Sequence, residues 1–223
     1  MDIRHLGEVP YLDALALQRS LHQQRVAGEI GDTVLLLTHP HTLTAGTRGG
    51  REDRWFNLRA DRDELEARGV DLVQVDRGGD VTYHGPGQIV GYPIVHLDRF
   101  PGGVSAYVRR LEAVMVRTCD AVGIHAGRLE GYPGAWIGQE KLGAIGARVR
   151  RQVTMHGFAL NLMGPLEGFG WILPCGLEGK GVTSVERQLP TGACPDWPTL
   201  EALVADALRA TFIPGAGPPR ARN

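Results

Sequence analysis

The chain has 223 residues, enough for one sizeable domain that buries about 70% of its unfolded surface without staples. Hydrophobic residues make up 43% and charged residues 22%, ordinary values for a globular protein. A formal net charge of −1 argues against a chain held on nucleic acid or anionic membrane by bulk charge.

The N-terminus, MDIRHLGEVPYLDALALQRS, lacks the charged-then-apolar pattern of a signal peptide. With no apolar run of about 18 residues, no membrane span is expected and a cytoplasmic location is. Residues 10–28 then read as a helix, with Ala14, Leu17 and Leu21 at helical spacing. TVLLLTH (33–39) reads as a buried strand closed by Pro40, and HTLTAGTRGGREDRWFN as a long loop hinged on glycines. RADRDELEARGV predicts a short helix ending at Gly69, and DLVQVD (71–76) a strand. RGGDVTYHGPGQ follows as a loop too rich in glycine to be regular, then QIVGYPIVHL (88–97) as a strand. VSAYVRRLEAVMVRTCDAVGI (104–124) carries a clear helical stripe through Leu111, Met115, Thr118 and Val122.

Beyond it lie the short apolar runs GAWIG (134–138), KLGAIGARV (141–149) and TMHGFALNL (154–162), the last two spaced as a hairpin. TLEALVADALRATF (199–212) predicts a closing helix. Strands that come in runs favour an α+β fold with a mixed, largely antiparallel sheet flanked by helices. A single domain over 1–213 and a disordered tail over 214–223 are expected.

Chemistry concentrates in three places. In RGGDVTYHGPGQ, four glycines let backbone approach a ligand, with an Arg, a Tyr and a His between them. The stretch lacks GK[ST], does not open a helix as GxGxxG does, and precedes a strand, so a groove for an elongated or apolar ligand suits it better than a phosphate. His84 there can face substrate or serve as a pinned structural histidine.

The second place is Cys175, in PCG, after WILP and before the flexible GLEGKG. Of the other cysteines, Cys119 falls on a helical stripe and Cys194 in a proline-bounded loop. No CxxC pair exists, so no metal is expected. In a reducing compartment all three are expected as thiols. A nucleophilic thiol is only about 3% ionised at neutral pH and needs a base or cation beside it. His84, His156, Lys141 and Lys180 are the candidates. The third place is therefore Lys141, one of two lysines in the chain, which starts an apolar strand and shares alternation with Gly143, Ile145 and Ala147. It either ends a strand in water or points into a cleft. On the residues alone, a structural and a nucleophilic Cys175 both stay open.

The blocks RGGDVTYHGPGQIVGYP, KLGAIGARVRRQVTMHGFALNL, and PCG followed by VTSV, in this order, resemble the lipoyl(octanoyl) transferase family. The resemblance covers about residues 35–187. It implies the fold of biotin and lipoate protein ligases and a two-step acyl transfer. Octanoyl-acyl carrier protein would be the donor. Lipoyl domains of 2-oxoacid dehydrogenase E2 subunits and the glycine cleavage H protein would be the acceptors. By the resemblance, Cys175 is the nucleophile that becomes an acyl-thioester. Lys141 lowers the thiol's pKa and acts as general acid and base. The substrate-binding segments map onto Arg77, Gly78, Gly79, Asp80, Val81, Thr82, Tyr83 and His84, onto Ala144, Ile145 and Gly146, and onto Gly157, Phe158 and Ala159. Small residues there would leave a groove for the acyl chain, and glycine amides would meet an oxyanion. No cofactor is implied, because a thioester is already activated. The rivals are an ATP-dependent lipoate or biotin protein ligase of the same fold, a cysteine hydrolase using Cys175 with His84 or His156, and a non-catalytic acyl-binding module.

Overall fold

The computed structural model describes residues 1–51, 54–55, 57–173 and 179–212. In chain order the elements are β1 (Asp2–Glu8), α1 (Tyr11–Ala27), β2 (Thr33–Thr38), β3 (Thr42–Ala45), β4 (Gly50–Arg51), β5 (Arg54–Trp55), α2 (Arg62–Ala67), β6 (Asp71–Gln74), β7 (Val81–His84) and β8 (Gln88–Ile94). There follow α3 (Gly103–Ala121), β9 (Gly127–Leu129), β10 (Tyr132–Ile137), β11 (Glu140–Arg150), β12 (Val153–Asn161), β13 (Gly181–Val182), α4 (Val185–Gln188) and α5 (Trp197–Phe212).

The main sheet runs β1-β2-β8-β12-β11-β10-β9, with β13 added beside the start of β11. Only β1–β2 and β11–β13 are parallel pairs in it. The sheet is therefore mixed and largely antiparallel, as the run of strands predicts. Its central strands are covered on both faces: every residue of β8 and β12 is buried. On one face α3 and α5 close the larger core, with Leu111, Met115, Val204 and Leu208 against Leu142, Phe158 and Leu160. On the other, α1 packs Ala14 and Leu21 on Leu35, Val90 and Ala159.

A second sheet, β6-β3-β7, lies over that second face with its own small core. Tyr11, Leu15, Val75 and Met155 join it to α1 and to β12. Both strands β3 and β7 fall where loops are expected from sequence. Their four-residue length hides the alternation, and a glycine follows each of them. β1 was also illegible. It is a mostly exposed edge strand whose residues carry no apolar alternation. In α1 the buried stripe is Tyr11, Ala14, Leu15, Gln18, Leu21 and His22, shifted from the expected one, and Leu17 is only partly covered. Cys119 is a core residue, as its stripe predicts, with its thiol pushed up to about 12 by burial. The expected tail, 214–223, lies outside the described residues.

Candidate active site

Between the two sheets opens a cleft of about 510 Å³, counted out to its mouth. Its roof is the segment from Arg77 to His84, and its floor is β8, β12 and β11. The segment is fixed at its start. Arg77, buried, donates from Nη2 to Thr44 O at 2.7 Å and to Thr44 Oγ1 at 2.9 Å, tying it to β3. Gly78 N–H donates to Ala147 O at 3.0 Å, tying it to β11. Asp80 accepts from Val81 N–H at 2.7 Å and from Asn57 Nδ2 at 2.6 Å. The amides of Gly78 and Val81 are thus already spent, and neither is available to an oxyanion.

Alternation along β7 splits its side chains. Thr82 and His84 face the cleft, whereas Tyr83 turns into the small core beside Phe169 and Trp171. Its hydroxyl meets His41 Nδ1 at 2.7 Å. Burial raises its pKa.

β11 contains a bulge. Its register with β10 shifts between Ala135 and Trp136, so that Trp136 pairs with Lys141 and Ala135 with Gly143. The extra residue, Leu142, drops into the core of α3 and α5. The consequence corrects the expected alternation. Gly143, Ile145 and Ala147 pack toward the α3 side, where a Cβ on Gly143 would lie 2.4 Å from Met115 Sδ, and of the three only Ile145 also borders the cleft. Lys141 instead shares the cleft with Ala144 and Gly146. The glycines of the floor are small for a different reason than leaving room for a ligand. A Cβ at Gly146 would sit 2.9 Å from Arg77 Cδ, and one at Gly157 would sit 2.2 Å from Gly91 O.

His156 has a left-handed backbone, φ 54°, in the middle of β12. For a residue with a Cβ this is strained, and it rotates the side chain away from the Phe158–Leu160 face toward the cleft. Its amide donates to Gln18 Oε1 at 2.9 Å, on the fully buried side chain of α1. The ring is 1% exposed and its Nε2 meets Asp76 Oδ1 at 2.9 Å. A carboxylate only accepts, so Nε2 carries the proton. The proximity of Asp76 suggests an ion pair, yet burial, together with Arg77, Arg148 and Arg19, holds His156 down to about 3. The ring is neutral and its Nδ1 is a lone pair, buried without a partner among the described residues. The other oxygen of Asp76 pairs with Arg148.

The deep end of the cleft is likewise neutral. His84 Nδ1 meets Gln88 Oε1 at 2.7 Å, and burial holds the ring well below its usual pKa. Tyr92 hydroxyl meets His39 Nε2 at 2.7 Å, and burial raises the pKa of both Tyr11 and Tyr92. With Val90, Ile145, Phe158 and Ala159 they form a lining suited to an apolar chain.

At the Lys141 end a smaller recess of about 350 Å³ adjoins the cleft and shares Lys141, Thr82, Ala144 and Ala159 with it. A polar chain runs through it: Gln88 Nε2 donates to Asn161 Oδ1 at 2.9 Å, and Asn161 Nδ2 donates to Thr183 O at 3.0 Å. Thr183 N–H returns to Lys141 O at 3.0 Å, and Val182 pairs with Lys141. Cys175 lies outside the described residues. The described chain before it ends at Leu173, whose N–H donates to Asn57 O at 2.8 Å. The chain after it resumes at Gly179 and runs directly into β13 alongside Lys141. Among the described residues no group of three or more His, Cys, Asp or Glu is placed to hold a metal ion. No helix among them is long and apolar enough to cross a membrane.

Lys141 and twelve of the fourteen expected substrate-binding residues thus line one cleft; Gly78 and Tyr83 do not. Tyr11, Val90 and Tyr92 were missed. The signal for Tyr11 was present, since a helical stripe holding Tyr11, Gln18 and His22 is polar for a face that is buried. Nothing in QIVGYPIV separates the cleft-facing Val90 and Tyr92 from core residues.

Comparison with known proteins agrees with this architecture. Residues 10–209 match the family model described as the lipoyl protein ligase A/B catalytic domain. A protein named octanoyltransferase from Caldicellulosiruptor saccharolyticus is 48% identical over 191 residues, covering 85% of this chain and 80% of its own. Another of that name from Chloroflexus aggregans is 44% identical over 215 residues, covering 95% and 93%. Among solved structures, a bipartite lipoate protein ligase from Thermoplasma acidophilum superposes with a TM-score of 0.69 at 15% identity, covering 95% of this chain and 84% of that one. The fold is that of the lipoate protein ligases, and by the extent of the family match the chain belongs to the lipoyl protein ligase A/B catalytic-domain family.

Proposed function

We propose that this chain is an octanoyltransferase that moves an octanoyl group from octanoyl-acyl carrier protein to a lysine of a lipoyl domain through a thioester on Cys175. The observation that carries the reading is the convergence of Lys141 with the three expected substrate-binding segments on one largely apolar cleft. Burying the acyl tail there contributes about 0.8 kcal/mol per CH₂.

In the first half-reaction Lys141 amine takes the thiol proton of Cys175. The thiolate attacks the donor's carbonyl carbon, the bond to the carrier's sulfur breaks, and Lys141 returns the proton to that leaving thiolate. In the second, the ε-amine of the acceptor lysine attacks the acyl-enzyme. Lys141 takes a proton from the nitrogen as the amide forms, and delivers it to the departing Cys175 thiolate. The donor's activation is spent in the transfer, so neither ATP nor a cofactor enters the balance.

A histidine-driven hydrolase is less well supported. His84 and His156 are buried, neutral and already committed to Gln88 and Asp76. The ATP-dependent ligase is separated by assay, because octanoate with ATP would replace octanoyl-acyl carrier protein as donor.

The donor protein is acidic as a class. Arg19, Arg148, Arg150 and Arg151 line a broad surface cleft on the far side of Asp76, with His22 among them. Arg148 stands seven residues along β11 from Lys141, about 23 Å at 3.3 Å per residue, within the footprint of one docked protein. This cleft is the proposed footing for the carrier. The test of the central claim is intact-protein mass after incubation with octanoyl-acyl carrier protein. The wild type gains one octanoyl group and Cys175→Ser gains none; an adduct that persists in the variant overturns the assignment.

A further inference from the structure

Lys141 is held by an aromatic platform that no motif of the sequence brings forward. Trp136 is 2% exposed and is the cross-strand partner of Lys141 at the bulge. Its Nε1–H donates to Tyr132 O at 3.0 Å, which fixes the plane of the indole, and the Tyr132 ring packs edge-on at 6.2 Å. Lys141 Nζ stands 5.1 Å from the indole centroid. The stem of Lys141 crosses Gly134, φ 138°, where a Cβ would lie 3.2 Å from Lys141 Cε. The second lysine of the chain uses the same platform. Lys180 Nζ is 5.7 Å from the Trp136 centroid and 5.0 Å from that of Tyr132, and it donates to Gln139 Oε1 at 2.6 Å. Both lysines of the chain therefore sit on one indole: Lys141 in the cleft, and Lys180 just past the segment that contains Cys175.

An indole face attracts an ammonium through its quadrupole, and more strongly when the site is partly desolvated. Ring, glycine and hydrogen bond together leave the Lys141 ammonium few places to go. We infer that Trp136 is a positioning residue, which holds the charged head of Lys141 where it stabilises the Cys175 thiolate. The inference rests on the octanoyltransferase reading above.

The measurement is the pH dependence of Cys175 alkylation by iodoacetamide, located by peptide mass, with acyl-enzyme formation followed in parallel. Trp136→Leu should move the alkylation midpoint to higher pH, in the direction of Lys141→Ala, and slow acyl-enzyme formation about tenfold, the order of one partly desolvated cation–π contact. Trp136→Phe keeps an aromatic face and should restore most of the wild-type profile. Because a buried tryptophan also supports the fold, the decisive series replaces tryptophan biosynthetically with fluorinated analogues. These keep the ring's shape and drain its negative face. A midpoint that climbs with each added fluorine supports the platform. A midpoint that stays in place through the fluorinated series, while Lys141→Ala shifts it, overturns the platform and leaves the enzyme's chemistry standing. If Lys141→Ala also leaves the midpoint in place, lysine has no hold on the thiol, and the reading of Lys141 falls together with the platform.

Discussion

His156 is held in a strained backbone at the edge of the cleft. Its left-handed backbone in the middle of a strand costs about 1–3 kcal/mol in general, and here Gln18 and Asp76 hold it from two sides. Gln18→Leu removes the acceptor of the His156 amide and leaves that N–H buried. The expected loss is about 1–3 kcal/mol of stability, read by urea unfolding. Gly157 next to it has no such latitude. A methyl group there would stand 2.2 Å from Gly91 O, so Gly157→Ala should destabilise by about 1–3 kcal/mol or displace β8. An unchanged unfolding midpoint for Gly157→Ala would mean that β8 and β12 give way more easily than their pairing suggests.

Among the elements, the β11–β12 hairpin carries most of the cleft floor. Arg150 pairs with Val153, so Arg151 and Gln152 form a two-residue turn, and both have positive φ, 50° and 61°. That geometry favours Asn-Gly, and Gln152→Gly should raise stability by up to about 1 kcal/mol, measured as a rise in Tm. The long periodic helices and the apolar strands β2, β8, β11 and β12 were legible because each spans enough residues to display its period. Strands β3 and β7 were not, being four residues long and bordered by glycine. The bulge at Leu142 was invisible for another reason. KLGAIGARV reads as an unbroken alternation, and only the pairing with β10 reveals that one residue is extra. That single residue decides whether Lys141 faces α3 or the cleft. The motif blocks therefore named residues that come together on one cleft, while the alternation assigned Lys141 to the wrong companions.

At the scale of the whole molecule, charge is sorted. A chain with a net charge of −1 gathers four arginines around one surface cleft beside the acyl cleft. Reversing two of them, Arg150→Glu with Arg151→Glu, should raise KM for the carrier-bound donor severalfold and much less for octanoyl-coenzyme A. Raised salt should narrow the gap between the wild type and this variant. The buried histidines set a second global property. His39 is held down to about 4 and His156 to about 3, both chiefly by burial, from an ordinary 6.5, and His84 is depressed as well. Below that ordinary value the unfolded chain binds protons that the folded protein refuses. This share of stability is complete above about pH 6.5 and drains away as pH falls toward 4 and then 3. Scanning calorimetry from pH 7.5 to 4 should show a falling Tm, with a shallower slope in His39→Gln.

The two lysines on Trp136 have one more consequence. The chain has 24 basic residues, and only Lys141 and Lys180 among them end in an amine. A guanidinium is too weak a nucleophile to open a thioester, whereas an amine at high effective concentration does so readily. A protein that carries an activated acyl group beside its own surface would label itself wherever a loose lysine came within reach. Here the cationic surface is written almost wholly in arginine, and Lys180 is tied to Gln139 and two aromatic rings. On the proposed mechanism, the acyl-enzyme is thereby left to wait for an amine that arrives from outside.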